Sequence, residues 1–146
     1  MEQQVNPNPE NNISNKNFKD SKYATGRRKR SIAKVWLKRG TGNIFVNGKK
    51  IAEYFKKNNL QTAIYRPLLL TKRENEFDVR CSVKGGGLTG QAGAIILGIA
   101  RAIIQFEPDL KPTLKKEKLT TRDSRSVERK KYGHRKARRS YQFSKR

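Results

Sequence analysis

Ala33, Val35 and Leu37 alternate with Lys34, Trp36 and Lys38, the period of a strand with one buried face. Gly40 to Gly42 marks a turn and Ile44 to Val46 reads as a returning strand, so the pair predicts a hairpin. Asn47-Gly48 is a second turn signal, after which Ile51, Tyr54 and Phe55 share the spacing of one helix face. Residues 59–66 predict another helix, stopped before Pro67 because proline disfavours helical geometry in its predecessor. Phe77, Val79, Cys81 and Val83 then alternate with Asp78, Arg80, Ser82 and Lys84, the clearest strand in the chain, with Cys81 on its core side.

Three glycines, Gly85 to Gly87, precede a long apolar helix from about Thr89 to Phe106. Ala92, Ile95, Ile96, Ile99 and Ile103 form its packing stripe, and Pro108 ends it. Burial of that stripe at about 25 cal/mol per Å² of apolar surface is expected to be the main source of stability. Residues 1–21, rich in asparagine and poor in apolar side chains, cannot bury enough surface to offset the entropy of ordering and are expected to be disordered. The expected organisation is therefore a disordered extension over 1–21, an α/β domain over 22–119 and a basic tail over 120–146.

Length and charge sharpen this picture. A chain of 146 residues encloses one core. A formal net charge of +23, from 35 Lys and Arg against 12 Asp and Glu, repels itself and calls for a polyanionic partner. The most basic stretches lack the apolar backing that a membrane surface demands, so nucleic acid leads. Cys81 is the only cysteine and His134 the only histidine, which excludes an internal disulfide and a zinc site of the usual ligands, and points to a reducing compartment. No apolar run approaches the roughly 20 residues of a membrane span. Residues 1–20 contain Glu2, Glu10 and Asp20 but no arginine, unlike a secretory signal or a mitochondrial presequence. A soluble protein made where it works is the expectation.

Beyond Leu119 the apolar pattern stops. Residues 111–146 hold 15 Lys and Arg against Glu117, Asp123 and Glu128, and the stretch from Thr120 to Arg146 has no face with which to dock on its own core. Fully extended, the stretch from Thr120 could reach roughly 90 Å. Arg122, Arg125, Arg129, Lys130, Lys131, Tyr132, Arg135, Lys136, Arg138, Arg139, Tyr141 and Phe143 interleave cations with flat side chains. Cations neutralise phosphates and release counterions, while rings and guanidinium planes stack on unpaired bases. A charge run can instead be merely solvated, or a targeting signal. A second cluster, Arg27, Arg28, Lys29 and Arg30, beside the first strand favours an extended contact surface. Gly26 and Gly133 permit close approach to a sugar-phosphate backbone, and each equally suits a turn.

Gly85, Gly87 and Gly90 satisfy G-x-G-x-x-G between a strand and a helix, the position of a dinucleotide-binding turn. The context fails: no convincing strand follows the helix, and no acidic residue is placed to take a ribose. Gln91 and Ala92 stand where a phosphate-binding loop needs Lys and Ser or Thr. His134 lies in a tail that offers no pocket, Asp78 and Glu53 have no evident acid-base partner, and Trp36 falls on the polar side of its strand. No enzyme site and no cofactor is expected.

The stretches YATGRRKR (23–30), GNIFVNG (42–48), GGGLTGQAG (85–93), TRDSRSVERKKYG (121–133) and KARRSYQFSKR (136–146) resemble ribosomal protein nine of the small subunit, bacterial or organellar type. The resemblance runs from about Tyr23 to Arg146; the asparagine-rich extension and His134 depart from the pattern. It implies an α/β two-layer sandwich with a left-handed β-α-β crossover, against the right-handed default, plus an extended basic C-terminal tail. It also implies binding to ribosomal RNA of the small-subunit head beside neighbouring proteins. In the family a terminal Ser-Lys-Arg, matched here by Ser144, Lys145 and Arg146, approaches peptidyl-site transfer RNA. No membrane or small-molecule partner is implied, and the place of work is the ribosome of a bacterial cytoplasm or an organelle interior.

Overall fold

The computed structural model describes residues 20–145, so most of the asparagine-rich extension, and Arg146, lie outside the described residues. Five strands, β1 (Lys22–Arg28), β2 (Ser31–Arg39), β3 (Ile44–Val46), β4 (Lys49–Lys50) and β5 (Phe77–Lys84), form one sheet in the order β1-β2-β5-β3-β4. The helices are α1 (Ile51–Tyr54), α2 (Asn58–Leu70), α3 (Leu88–Phe106) and, after a 3₁₀ turn at Pro108–Leu110, α4 (Lys111–Lys116). Buried positions alternate with half-buried or exposed ones along β2 and β5: Ala33, Val35, Leu37, Phe77, Val79, Cys81 and Val83 face the core under α3. Burial pushes the Cys81 thiol far above its ordinary range, leaving it a small neutral core residue.

The expected hairpin between 33–37 and 44–46 does not form. β5 lies between those strands, antiparallel to β2 along eight residue pairs and parallel to the three-residue β3. Alternation reports which face a strand buries, not its neighbour, and β5 offers β2 the longer ladder. Asp78 holds the chain as it crosses the end of β5, accepting hydrogen bonds from the Thr41 and Asn43 backbone N–H groups at 2.9 Å each. The carboxylate without an evident partner is thus a turn organiser. The hairpins that do form are β1–β2, turned at Lys29 with φ +52°, and β3–β4, turned at Asn47-Gly48.

Proline 67 does not stop α2, which runs on to Leu70. Ile64, Pro67 and Leu68 are all buried, so the ring fills core space that offsets the hydrogen bond it cannot donate. The Thr71 hydroxyl closes the helix end by donating to the carbonyls of Pro67 and Leu68 at 3.0 and 3.1 Å.

Helix α3 is buried more widely than one stripe. Ala94, Leu97, Ala100 and Ala102 are covered as well as Ile95, Ile99 and Ile103, because α2 packs on the side that β1, β2 and β5 leave open. By length and composition α3 would cross a membrane, yet here it is the core helix. Its seat on the sheet is set by glycine. A Cβ on Gly26 would lie 1.8 Å from the Ala94 carbonyl oxygen, and one on Gly98 would lie 2.5 Å from Val35 Cγ2. Gly26 therefore serves helix packing, which displaces its reading as an approach point for RNA. Gly26→Ala is expected to cost at least about 3 kcal/mol, because the clash is with backbone. Gly87→Ala, which meets nothing within 4 Å, should cost less than about 1 kcal/mol. Urea unfolding of the two variants measures the contrast.

Candidate nucleic-acid interface

The glycine motif before α3 is explained by its own neighbours. Gly85 and Gly86 take φ of +74° and +63°, which turns the chain from β5 into the helix. Ser31 is buried in that turn and donates its hydroxyl to the Gly85 carbonyl at 3.0 Å; a Cβ on Gly86 or Gly90 would strike that hydroxyl. Gln91 donates to the same carbonyl at 3.2 Å and accepts from the Tyr54 hydroxyl at 2.8 Å. Asn47 completes the set with a paired amide contact to the Val83 backbone, 2.8 Å from its N–H and 3.1 Å to its carbonyl. The motifs GNIFVNG and GGGLTGQAG are one interlocked turn.

That turn sits beside the tip of the β1–β2 hairpin, where the first basic cluster is split by the pleat. Arg28 is directed toward α3, its Cδ lying where Gly93 lacks a side chain, whereas Arg27 belongs to the opposite face and Lys29 and Arg30 form the exposed turn. Arg28 reaches the Asp123 carboxylate at 3.3 Å, and Arg125 grips the same group through Nε and Nη2 at 3.0 and 2.9 Å. The Arg125 hydrogen bonds, side-chain and backbone, together with the charges of Arg125 and Arg28, hold the Asp123 carboxyl well below the usual carboxylate range. The start of the tail thus does lie against the domain, contrary to the expectation that it could not dock. The contact is made by charge, which apolar periodicity does not register.

Two grooves flank this tether. One of about 790 Å³ is bordered by Arg27, Arg28, Arg66, Lys118, Arg122 and Arg125. The other, about 460 Å³, runs between Lys29, Arg30, Gly86 and Gly87 on the domain and Val127 to Lys130 on the tail. Arg66, on α2, was invisible as a member of this basic rim. An isolated arginine in a helix gives no sequence signal of what folds beside it; here it pairs with Glu117 at 2.7 Å.

The tail then folds back on itself. Gly133 takes φ +70° with open space around it, His134 and Ser140 form an antiparallel bridge, and the Arg135 N–H bonds the Arg139 carbonyl at 2.7 Å. His134 Nδ1 and the Ser140 hydroxyl lie 3.3 Å apart, so the imidazole is part of the fold-back. Glu128 pins both sides, meeting Lys131 at 2.5 Å and Arg138 at 2.9 Å, and these bonds lower its own proton affinity. Arg135 stacks 5.3 Å over the Tyr141 ring. Arg122, Arg129, Lys130, Lys136 and Arg139 are exposed, as are Tyr132 (96 %), Phe143 (86 %), Ser144 and Lys145. The fold-back makes the tail's reach shorter than its full contour.

A folded α/β domain that sends out cations and bare aromatic rings, with its carboxylates engaged in ion pairs along the way, is built as a ribonucleoprotein component. Residues 26–146 match the family model described as Ribosomal protein S9/S16, and the chain belongs to that family. It is a ribosomal protein, a constituent of the ribonucleoprotein particle of translation, and it binds ribosomal RNA.

The depressed Asp123 pKa gives the tether a pH signature. A carboxyl held lower in the folded state contributes above its unfolded value, near 3.9, and that contribution disappears as pH falls through the lower folded value. Protection of the Arg125 amide, whose N–H donates to Asp123 Oδ1 at 3.0 Å, is therefore expected to persist through pH 4, where ordinary carboxylates protonate. Asp123→Asn should loosen the segment at neutral pH and speed tryptic cleavage after Arg122 and Arg125 several-fold.

Proposed function

We propose that this ribosomal protein is a structural constituent of the small subunit, anchored to ribosomal RNA of its head beside neighbouring head proteins. Residues 22–119 form the anchoring domain and 120–146 the tail. Arg27, Arg28, Lys29 and Arg30 engage phosphates at the hairpin tip. Arg122, Arg125, Arg129, Lys130 and Lys131, with Tyr132, continue that track, and Arg135, Lys136, Arg138 and Arg139 present the folded-back loop to RNA. Ser144, Lys145 and Arg146 approach the transfer RNA of the peptidyl site. The crossover from β3 through α1 and α2 to β5 is, in this reading, the left-handed unit that the resemblance implies. The ribosome concerned is that of a bacterial cytoplasm or an organelle interior.

The observation that carries the reading is continuity. The family match runs from the hairpin strand to the last residue, and the Arg28–Asp123 contact joins those two basic regions into one surface. Each cation placed on a phosphate releases condensed counterions, so binding of this surface is steeply salt-dependent. No side chain in this account transfers protons or forms a bond to substrate; the work is positional.

Deleting residues 144–146 tests the tail tip. Particles carrying the truncated chain are expected to assemble with normal stoichiometry while peptidyl-site transfer RNA dissociates several-fold faster. Unchanged dissociation from fully assembled particles would remove the tip from the mechanism and leave the anchoring role standing.

A further inference from the structure

The sheet has a second face, turned away from α3. The strand registers set Tyr23, Trp36, Arg80, Phe45 and Lys50 at one level across all five strands. Tyr23 is 42 % exposed and its ring centroid lies 5.3 Å from that of Trp36, tilted by 43°. Lys34 and Lys84 are exposed on the same face, beside Ile32 at 42 %. The carboxylate there, Asp78, is occupied by the Thr41 and Asn43 N–H groups, so the face is cationic around a row of flat side chains.

We propose that this face is a further RNA-contacting surface that takes unpaired bases, distinct from the hairpin tip and the tail; the proposal rests on the reading that the protein binds ribosomal RNA. Charge complementarity selects the occupant. Rings accept base planes without regard to sequence, and Lys34, two residues from Trp36 on β2, and Lys84, four residues beyond Arg80 on β5, lie where the connecting phosphates would run. A duplex would present phosphates to the cations but no base faces to the rings. Addition of a partner strand is disfavoured at the β1 edge, where the Tyr23 and Thr25 carbonyls already accept hydrogen bonds from Gln105 and Arg101 of α3, each at 3.0 Å.

Trp36 is the only tryptophan of the chain and reports on this face directly. The full-length protein is titrated with dye-labelled oligoadenylate or with duplex RNA of equal length. Binding is followed by dye anisotropy and stacking by Trp36 emission. Quenching by oligoadenylate, with duplex bound but Trp36 emission unchanged, is the expected result. Tyr23→Ser combined with Phe45→Ser should weaken oligoadenylate binding by about 5- to 100-fold and leave duplex binding as it was. Binding of both RNAs with no change in Trp36 emission would mean that the tail and hairpin tip hold RNA alone, overturning the proposal while the general reading stands. Equal quenching by both forms would also overturn it, since a duplex offers no free base. Failure of either RNA to bind would sink the RNA-binding reading itself.

Discussion

The closeness of α3 to the β1–β2 hairpin governs the geometry of everything charged in this protein. With hydrogen atoms alone at Gly26 and Gly98, helix and sheet backbones meet where no side chain fits. Farther along the helix, Gly90 and Gly93 admit Ser31 and Arg28 in the same way. This series of small residues fixes the hairpin tip against the first turns of the helix. The basic turn Lys29-Arg30, the glycine loop and the arginine that receives the tail are consequently held in one place. A looser contact would leave the same cations present but unaligned.

Electrostatics then sets a part of the chain held by apolar burial apart from a part held by ion pairs. The domain's stability comes from apolar burial under α3, which is indifferent to net charge. Surface ion pairs such as Arg28–Asp123 and Arg138–Glu128 add little energy in water, but they give direction to a segment that has no apolar face. Asp123 and Glu128 act as pins within a run of cations, one at the root of the tail and one at its fold-back. Ribosomal RNA supplies the remaining counter-charge. The sparseness of acidic residues in the tail is what allows the few present to define its path.

Legibility in the sequence followed burial. β5 and α3 were readable because their apolar residues are large and strictly periodic; β1 was not, because its core side is Ala24 and Gly26, which carry no hydrophobic signal. The pairing of β3 with β5 rather than β2 depends on contacts between segments more than thirty residues apart, which local alternation does not encode. Pro67 misled because a buried ring within a helix obeys packing over local preference. The two basic clusters were visible from composition alone, but not their joining through Asp123, nor the division of Arg27 and Arg28 between opposite faces. The aromatic row is in plain view only once five strands are in register. Trp36 alone hinted at it by falling on the polar side of its strand.

The most direct test of the central claim, that a shaped surface and not charge alone recognises ribosomal RNA, is a salt-dependent partition experiment. The full chain is offered purified small subunits stripped of their own copy together with an equal mass of duplex DNA, across rising salt. Eight or so phosphate contacts alone would lose about 10³- to 10⁵-fold in affinity between 50 and 200 mM salt. Saturable, one-to-one binding to the subunit that persists as DNA binding fades is the predicted result. Parallel loss from both would contradict it, and would leave a basic protein that binds any polyanion.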